Sequence, residues 1–305
     1  MPSQEAKDRT LVVIITGCSS GIGRESALEF ARNGDRVYAC VRDVNSASSL
    51  ERQARKEQID IRIRILDVTE TATFEAVIGE ILDDSGYIDV LINNAGILHA
   101  GAWEDLSEAQ ARLVMDTNFF GPMLLARTVL PHMRKRNSGS IIMISSLSGL
   151  AGLAGDVAYT ASKFALEGAS EALRFEVERW GIQVALVEAG QHATKLLMTA
   201  GEGDNGLPPG YPHDSPYKAL VAYRTYQAQS KPNGGLSAAN VAKLLPVIAR
   251  ADGSQFRWQA DAAASAIVHA LLGQSDSERS NYLRAAGDTK WWSSRDNAPD
   301  RKSDE

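Results

Sequence analysis

Two features of the sequence predict an α/β fold, in which helices cover both faces of a mostly parallel sheet. Short apolar runs rich in β-branched residues alternate with longer amphipathic stretches as far as residue 187. These stretches are long enough for right-handed βαβ crossovers, which place helices on both faces of a parallel sheet. After residue 195, a stretch dense in Gly and Pro interrupts the alternation. No linker divides the chain, so we expect a single domain over residues 1–305.

The elements of the first two thirds follow one another in a regular order. Each predicted strand is a short run rich in Val, Ile or Leu, and Gly181 ends the last of these helices before the sixth strand. The predicted strands are 11–15, 36–40, 61–66, 88–92, 140–144 and 182–187, and the predicted helices lie near 22–33, 45–58, 70–84, 107–136 and 157–180.

The last third of the chain has a different pattern. Residues 199–216 are dense in Gly and Pro and predict a loop. The segment 281–287, "NYLRAAG", could supply a seventh strand at the edge of the sheet. The polar residues 293–305 are expected to form a frayed tail. Further helical patterns lie near 216–229, 237–250 and 260–273.

Composition excludes several classes of protein. The net charge of −6 provides no basic surface for nucleic acid or an anionic membrane. Two cysteines, Cys18 and Cys40, are too few for a disulfide framework and fit a reducing compartment. The five histidines show no metal-ligand spacing. No signal peptide or membrane-spanning run is visible, so we expect a cytoplasmic protein without a bound metal.

A glycine-rich turn follows the first predicted strand. Residues 16–23, "TGCSSGIG", open the first predicted helix. Gly17, Gly21 and Gly23 allow a tight turn and a close approach of the backbone to a pyrophosphate, which the helix N-terminus attracts. The spacing is G-x-x-x-G-x-G, and glycine-rich turns between strand and helix also occur for steric reasons alone. Both interpretations stay open on this motif by itself.

Tyr159 and Lys163 lie four residues apart in a predicted helix and therefore share one face. A lysine ammonium about 4 Å from a phenol contributes about 4 kcal/mol, enough to lower a tyrosine pKa from about 10 to about 7. Tyr159 would then act as an acid/base near neutral pH, although a solvated surface pair has the same spacing. Ser146 favours the first interpretation, because it follows the strand 140–144 at the sheet edge where open α/β folds bind ligands.

Four motifs together resemble the short-chain dehydrogenase/reductase family. "TGCSSGIG", "NNAG" (93–96), "SS" (145–146) and "YTASK" (159–163) occur in the family's order and at its spacings. The match covers roughly residues 10–195 and looks most like the branch that contains 17β-hydroxysteroid and retinol dehydrogenases. The resemblance implies a Rossmann-type doubly wound sheet, NAD(P)(H) as cofactor, and reversible oxidation of an alcohol to a carbonyl.

The resemblance also implies roles for individual residues. Ser146 would hold the substrate oxygen, Tyr159 would transfer the proton, and Lys163 would bind the nicotinamide ribose and lower the pKa of Tyr159. Asn118 would kink the helix near 107–136 and hold a water leading to the lysine, although an asparagine there also bends a helix by local bonding. The implied cofactor-binding residues are Gly17, Ser19, Ser20, Gly21, Ile22, Gly23, Arg42, Asp67, Val68, Asn94, Ala95, Gly96, Tyr159, Lys163 and Thr194.

Two of these positions are less clear than the rest. Asp67 would accept the adenine amine, but it also fits a turn residue ahead of a helix cap at Thr69. After the sixth strand the chain has "AGQHAT" (189–194), where the family usually shows P-G-x-V-x-T. Thr194 is retained for the nicotinamide carboxamide, while Ala189 replaces the proline and His192 replaces the valine. This departure puts the detail of the nicotinamide contacts in question.

The end of the second strand predicts the choice of cofactor. An NAD-preferring site places Asp or Glu there to accept the ribose 2′-hydroxyl, whereas this position falls on Val41. The next residue, Arg42, carries a guanidinium suited to a 2′-phosphate, and Ser20 could donate a second hydrogen bond. Asp43 would favour NAD(H) if the register were shifted by two. We therefore expect NADP(H) to be preferred, with NAD(H) as the alternative.

The sequence thus predicts an NADP(H)-dependent oxidoreductase for a lipophilic secondary alcohol and its ketone or aldehyde. The substrate is expected to meet residues 147–157 and an apolar lid over about 195–235, which carries Tyr211, Tyr217, Tyr223 and Tyr226. Members of the family commonly form homodimers or homotetramers through the fourth and fifth helices. The alternatives are a non-catalytic dinucleotide sensor on the same fold, and an epimerase or dehydratase.

Overall fold

The strands of the chain form one parallel sheet. The computed structural model describes residues 9–190, 207–230, 237–271, 273–294 and 296–299. Within these residues, seven strands lie in the order β3-β2-β1-β4-β5-β6-β7, and each neighbouring pair is parallel. The predicted Rossmann-type doubly wound sheet is therefore confirmed. The strands are β1 Val12–Thr16, β2 Arg36–Val41, β3 Ile61–Ile65, β4 Val90–Asn93, β5 Gly139–Ile144, β6 Ile182–Glu188 and β7 Arg257–Gln259.

Helices connect these strands and follow them along the chain. In the described residues, every helix predicted from the sequence is present to within a few residues. The helices are α1 Gly21–Arg32, α2 Ser48–Glu57, α3 Phe74–Ser85, α4 Glu108–Met115, α5 Gly121–Arg136, α6 Val157–Val177, α7 Lys218–Ser230, α8 Ala238–Ala249, α9 Ala262–Leu271, α10 Asp276–Ala286 and α11 Lys290–Ser293.

The sheet carries a hydrophobic core on each face. In β1, Val12 and Ile14 contribute to one core, which also contains side chains of α3, α5 and α6. Val13 and Ile15 contribute to the other core, which contains side chains of α1 and α8. Both faces are buried, so the strands appear in the sequence as continuous apolar runs rather than as an alternating pattern.

The winding of the sheet reverses at β1, which positions the functional site. β1 pairs with β2 on one side and with β4 on the other, so successive crossovers leave in opposite directions. A crevice forms where the carboxyl ends of two such strands separate, and ligands of open α/β sheets bind there. The glycine turn follows β1 and the "NNAG" segment begins at the last residue of β4, so both lie at this crevice.

The prediction of a strand at 281–287 is wrong. This segment forms the greater part of α10, which begins with a capping box between Ser275 and Glu278. The Ser275 side chain accepts from the Glu278 backbone N–H, and the Glu278 side chain accepts from the Ser275 backbone N–H, which stabilises a helix start. The seventh strand is Arg257–Gln259, which pairs with the end of β6. Three residues are too few to give a recognisable hydrophobic period.

The predicted helix near 107–136 is interrupted in its middle. α4 and α5 are separated by a π-helical turn over Asp116–Phe120. Gly121 begins α5, and a Cβ at this position would lie 2.5 Å from the Val68 carbonyl oxygen. This close approach requires glycine there, and the π turn carries the bend that the sequence places near Asn118.

Two features are absent from the residues that the structure describes. No helix there combines the length and the apolar character needed to cross a membrane. In the same part of the chain, no group of three or more His, Cys, Asp or Glu side chains is placed to share a metal ion.

Candidate active site

In the glycine turn between β1 and α1, the backbone at Gly23 lies very close to the backbone at Gly17. Gly17 has a φ of 72°, which other residues rarely adopt. A Cβ on Gly23 would lie 2.4 Å from the Gly17 carbonyl oxygen and 2.4 Å from the Asn94 amide nitrogen. The turn therefore accepts only glycine at Gly23, and it leaves two of the first three residues of α1 without a side chain.

The N-terminus of α1 is arranged to attract an anion. Ser20, its N-cap residue, is extended with a φ of −164° and makes no capping hydrogen bond with its side chain. The first backbone N–H groups of the helix have no partner within the helix, and no acidic residue lies in its first turn. Gly21 and Ile22 are partly exposed and Ser19 is exposed, so a ligand has access to this end of the helix.

The "NNAG" segment is attached to the glycine turn by Thr16, the last residue of β1. The Thr16 hydroxyl oxygen accepts from the backbone N–H groups of Asn94 and Ala95, at 3.0 Å each. The Asn94 side-chain amide donates to the Thr16 carbonyl at 2.8 Å. Asn94 thus has a structural function in fixing the turn, in addition to its place beside the crevice. The sequence analysis overlooked Thr16, whose signal is a hydroxyl at the end of an apolar strand.

The end of β2 presents Arg42 to solvent. Val41 is the last residue of the strand and is buried, as the register of the sequence predicts. Asp43 uses its carboxylate to accept from the Asn45 backbone N–H at 3.1 Å and from the Asn45 side chain at 3.2 Å. Arg42 is exposed, and none of the hydrogen bonds and ion pairs of the described residues involves its guanidinium. An anion near this strand end therefore meets a free cation, while Asp43 is engaged in its own turn.

Asp67 forms the turn of its alternative interpretation, but Thr69 is not the helix cap expected there, because α3 begins at Phe74 with Thr73 as its N-cap. The Asp67 Oδ1 accepts from the Thr69 backbone N–H at 2.9 Å and from the Thr69 hydroxyl at 2.8 Å. Val68 is buried, and its backbone lies against Gly121 at the start of α5. Asp67 is partly exposed, so a contact with a ligand on its second carboxylate oxygen stays compatible with this geometry.

Ser146, Tyr159 and Lys163 come together beyond the carboxyl end of β5. The Ser146 hydroxyl accepts from the Ser148 backbone N–H at 3.2 Å and lies close enough to the phenol of Tyr159 to lower its pKa. The Lys163 ammonium donates to the Ile144 carbonyl at 2.8 Å and lies 5.7 Å from the centre of the Tyr159 ring. A Cβ on Gly96 would lie 4.0 Å from Lys163 Nζ, which places this lysine beside the "NNAG" segment.

The protonation states differ from those expected from the sequence. Burial raises the pKa of Tyr159 to about 12, the Ser146 hydroxyl lowers it in part, and the Asp156 carboxylate raises it further. Burial lowers the pKa of Lys163 to about 8, and the Glu167 carboxylate acts in the opposite direction. The expectation that the lysine alone brings the tyrosine pKa near neutrality is wrong for the ligand-free protein, because burial is the largest influence on that pKa and Lys163 is not among the groups that shift it.

Asn118 lies in the π-helical turn and connects three segments. Its Oδ1 accepts from the Ile97 backbone N–H at 2.9 Å, and its Nδ2 donates to the Ile97 carbonyl at 2.9 Å and to the Ser162 hydroxyl at 3.0 Å. Ser162 in turn donates to the Tyr159 carbonyl at 2.7 Å. Asn118 is fully buried. It therefore fixes the loop after β4 against the helix that carries Tyr159 and Lys163.

The segment after β6 is described only at its start. Ala189 is buried, and its carbonyl accepts from the Leu147 backbone N–H at 3.1 Å. His192 and Thr194 lie outside the described residues. The expected contact of Thr194 with the nicotinamide therefore stays a prediction.

The described part of the expected lid, residues 207–230, is anchored by tyrosine hydroxyls that donate to carboxylates of other segments. Tyr211 donates to Asp105, and Tyr217 donates to Glu104 at 2.8 Å. Tyr223 donates to Asp288, which follows α10. These contacts join the described lid residues to the loop after β4 and to the C-terminal helices.

The C-terminal helices also border the loop expected to meet substrate. Arg279 of α10 donates to the Leu150 carbonyl. A cavity of about 210 Å³ lies between this loop and the C-terminal residues, lined among others by Leu153, Leu283 and Trp292. The sequence analysis gave these helices no place near the site, because their contacts bridge more than a hundred residues of chain.

Comparison with known proteins gives concordant results. A family model described as short chain dehydrogenase matches residues 11–205. A 3-ketodihydrosphingosine reductase of Bacteroides thetaiotaomicron is 38% identical over 183 residues, 60% of this chain and 64% of that protein. Human retinol dehydrogenase 8 is 40% identical over 187 residues, 60% of either chain. A crystal structure of a short-chain dehydrogenase from Streptomyces avermitilis has a TM-score of 0.73 at 30% identity and covers 94% of this chain and 97% of that chain.

The range that the family model matches, residues 11–205, contains all four sequence motifs. The alignments span less than two thirds of the length of the two curated relatives, and the range that the family model matches contains the first six strands and the site. The family model covers more than half of the chain. With its parallel seven-stranded sheet and its four motifs in register, the chain belongs to the short-chain dehydrogenase/reductase family.

Proposed function

We propose that the protein is an NADP(H)-dependent oxidoreductase that interconverts a lipophilic secondary alcohol and its ketone or aldehyde, with Tyr159 as the acid/base. One observation carries this proposal. Ser146, Tyr159 and Lys163 meet at the carboxyl edge of the sheet, beside a segment that is hydrogen-bonded to the glycine turn. A proton-transferring phenol therefore lies next to a site suited to a dinucleotide.

The residues at the crevice fit a dinucleotide. The glycine turn leaves no room for a Cβ at Gly23, which lets a bound group approach the backbone closely. The free N–H groups of α1 suit a pyrophosphate, and Lys163 has protons left after its bond to Ile144 with which to bind ribose hydroxyls. Gly17, Gly21 and Ile22 would line the pyrophosphate, while Asn94, Ala95 and Gly96 would lie along the ribose.

The side chains then have distinct functions in the reaction. When bound, the nicotinamide supplies or accepts the hydride. Ser146 would hold the carbonyl oxygen of the substrate by a hydrogen bond, and Tyr159 would donate its proton to that oxygen as negative charge develops there. With a pKa of about 12 the phenol is protonated at neutral pH, which suits carbonyl reduction. Lys163 would orient the ribose and, when protonated, favour the phenolate that remains.

A lipophilic substrate is supported by the names of two similar proteins and by apolar residues near the loop after Ser146. Two of the similar proteins are a 3-ketodihydrosphingosine reductase and a retinol dehydrogenase, and the compounds in these names are hydrophobic. Leu150, Leu153 and Trp292 contribute apolar surface near the loop after Ser146. These features support a hydrophobic substrate and leave its identity to experiment.

Turnover of the reduced cofactor against a substrate panel tests the proposal. Purified protein is mixed with NADPH and a series of steroid, retinoid, aryl and short aliphatic ketones and aldehydes, and the absorbance of the reduced nicotinamide is followed. We expect oxidation with the lipophilic carbonyl compounds and little with the short ones. The sensor alternative predicts NADPH binding, visible by fluorescence, with no turnover of any compound.

Cofactor preference gives a specific prediction at the end of β2. The wild type should prefer NADPH to NADH by about tenfold or more in kcat/KM, since one charge-assisted hydrogen bond contributes about 1.5–3 kcal/mol. Arg42→Ala should remove most of this preference, because the exposed guanidinium has no competing partner among the described residues. Val41→Asp should reverse it, because a carboxylate there repels a 2′-phosphate and accepts from a 2′-hydroxyl.

Steady-state kinetics with both cofactors measure these changes. Arg55→Ala is the matched control, because it removes an exposed arginine of the next helix. Equal use of NADH and NADPH by the wild type, or an unchanged ratio in Arg42→Ala, would show that Arg42 does not select the cofactor.

We also propose a homodimer or homotetramer formed through α4, the π-helical turn and α6. Leu113, Phe120, Phe164 and Phe175 are large hydrophobic side chains of these elements, and all are exposed, Phe175 by 62%. Phe164→Glu/Phe175→Glu should shift the sedimentation coefficient toward that of a monomer. Val247→Glu should leave it unchanged, because Val247 is equally exposed on α8, against the other face of the sheet. A monomeric wild type would contradict the proposal.

A further inference from the structure

A buried carboxylate lies one helical turn beyond the proposed catalytic lysine. Glu167 follows Lys163 by four residues on α6, so the two share the face that also carries Tyr159. Only 4% of Glu167 is exposed. Carboxylates are seldom buried to this extent without a partner, so the surroundings of Glu167 indicate what it does.

Glu167 is held by an arginine from the last strand. Arg257 of β7 forms an ion pair with Glu167 and also contacts Glu188 of β6 at 3.0 Å and Glu171 of α6 at 2.8 Å. Within the described residues, Arg257 is the one cation that pairs with these three carboxylates, so the cluster keeps a negative charge. Gln259 donates a further hydrogen bond to Glu188 at 2.6 Å.

Glu167 and its partners lie next to the segment that follows β5, where the candidate active site is formed. A Cβ on Gly149 would lie 3.0 Å from Glu167 Oε1 and 2.8 Å from the Ser145 hydroxyl, so both groups border the same small space. Ser145 lies between Ser146 and Ile144, and the Ile144 carbonyl accepts the Lys163 hydrogen bond. Glu167 is therefore placed next to the strand end on which both Ser146 and Lys163 depend.

Lys163 has no carboxylate in direct contact among the described residues. Only 5% of Lys163 is exposed, and its ammonium lies near the Ile144 carbonyl, the Tyr159 ring and Gly96, which also borders Asn118. Asp156, at the start of α6, acts on Tyr159. Glu167 is the charged group that acts on Lys163 itself and favours its protonated form against the effect of burial.

We propose that Glu167 is a positioning residue that keeps Lys163 protonated, and that Arg257 holds Glu167 in place for this function. A protonated lysine can bind ribose hydroxyls as a donor and stabilise a developing phenolate on Tyr159, and a neutral one does so poorly. Arg257 holds the Glu167 carboxylate, Glu188 also pairs with Arg257, and Gln259 donates to Glu188. This inference rests on the proposed function of Lys163, but the charge of Lys163 can be measured without any reaction.

The direct test is an NMR titration of Lys163 in the ligand-free protein. Protein with isotope-labelled lysine side chains is titrated, and the Lys163 signal is assigned by its absence in Lys163→Met. In Glu167→Gln, the Lys163 midpoint should fall by about one pH unit from its wild-type value, because a nearby negative charge has been removed. Glu171→Gln is the matched control, since it removes a half-exposed carboxylate that contacts the same arginine one turn farther from Lys163.

A kinetic readout accompanies the titration. In carbonyl reduction, the basic limb of the kcat/KM profile should move to lower pH in Glu167→Gln and stay in place in Glu171→Gln. Glu167→Asp, which keeps the charge, should restore most of the wild-type profile. A merely structural function would lower activity at every pH without moving the limb.

Several outcomes would overturn the inference. An unchanged Lys163 midpoint in Glu167→Gln, or an equal fall in Glu171→Gln, would show that Glu167 does not control the charge of Lys163. If the glutamine variant does not fold, Glu167→Met fills the same volume without a polar group and is titrated in its place. If Lys163 shifts as expected but the wild type shows no turnover, the proposed function fails and the electrostatic coupling stands.

Discussion

Tyr159→Phe is expected to lower kcat by about 10²–10⁴-fold, the range typical of losing a positioned proton donor. Phenylalanine keeps the ring and its contact with Lys163, and it removes the hydroxyl that lies beside Ser146. The substrate oxygen then has no acid beside it. The affinity for NADPH should stay within about threefold, because hydrogen bonds to the proposed ribose site come from Lys163. Steady-state kinetics and NADPH fluorescence titration measure the two quantities.

The control for this variant is a tyrosine at the amino ends of the strands, on the side of the sheet opposite the candidate site. Tyr87 precedes β4 and stacks under Arg136, so Tyr87→Phe removes a tyrosine hydroxyl far from the crevice. It should leave kcat unchanged. If Tyr159→Phe retained more than about a tenth of wild-type kcat, the acid/base function would have to be assigned to another group.

Lys163→Met is expected to make the protein more stable at neutral pH while abolishing its activity. Burial lowers the pKa of Lys163 from 10.5 to about 8, so at pH 7 the folded protein carries a cation in a site that disfavours charge. The shift corresponds to about 3 kcal/mol of unfolding free energy, which methionine should recover because it has similar length and no charge. Urea denaturation at pH 7 measures the difference.

The pH dependence of this stabilisation has a definite sign. Between pH 8 and pH 10.5 the unfolded chain binds the lysine proton more strongly than the folded protein does, so wild-type stability should rise with pH there. Lys163→Met lacks this increase, and the difference between the two proteins should shrink toward zero near pH 10.5. Lys135→Met, an exposed lysine of α5, should change the unfolding free energy by less than about 0.5 kcal/mol. A methionine variant at position 163 that is less stable than wild type at pH 7 would contradict the low pKa.

Much of the fold could be predicted because its strands are buried on both faces. A strand such as Val12–Thr16 must then be apolar at successive positions, and such a run is visible without knowledge of its partners. The order of runs and helices restricts the connections to right-handed crossovers. The seventh strand escaped prediction because Arg257–Gln259 is partly exposed and is a strand only by virtue of its pairing with β6.

The features of the candidate site also fall into two groups, those determined by local spacing and those determined by tertiary contacts. Local spacing by itself determined that Tyr159, Lys163 and Glu167 share one helix face, and that Val41 rather than an acid ends β2, since both follow from the periodicity of a single element. Tertiary structure alone decided that Arg257 meets Glu167, that Tyr223 meets Asp288, and that the C-terminal helices border the substrate loop. It also decided the pKa values, because burial is produced by packing between distant segments, and no local pattern shows how far a side chain will be removed from water.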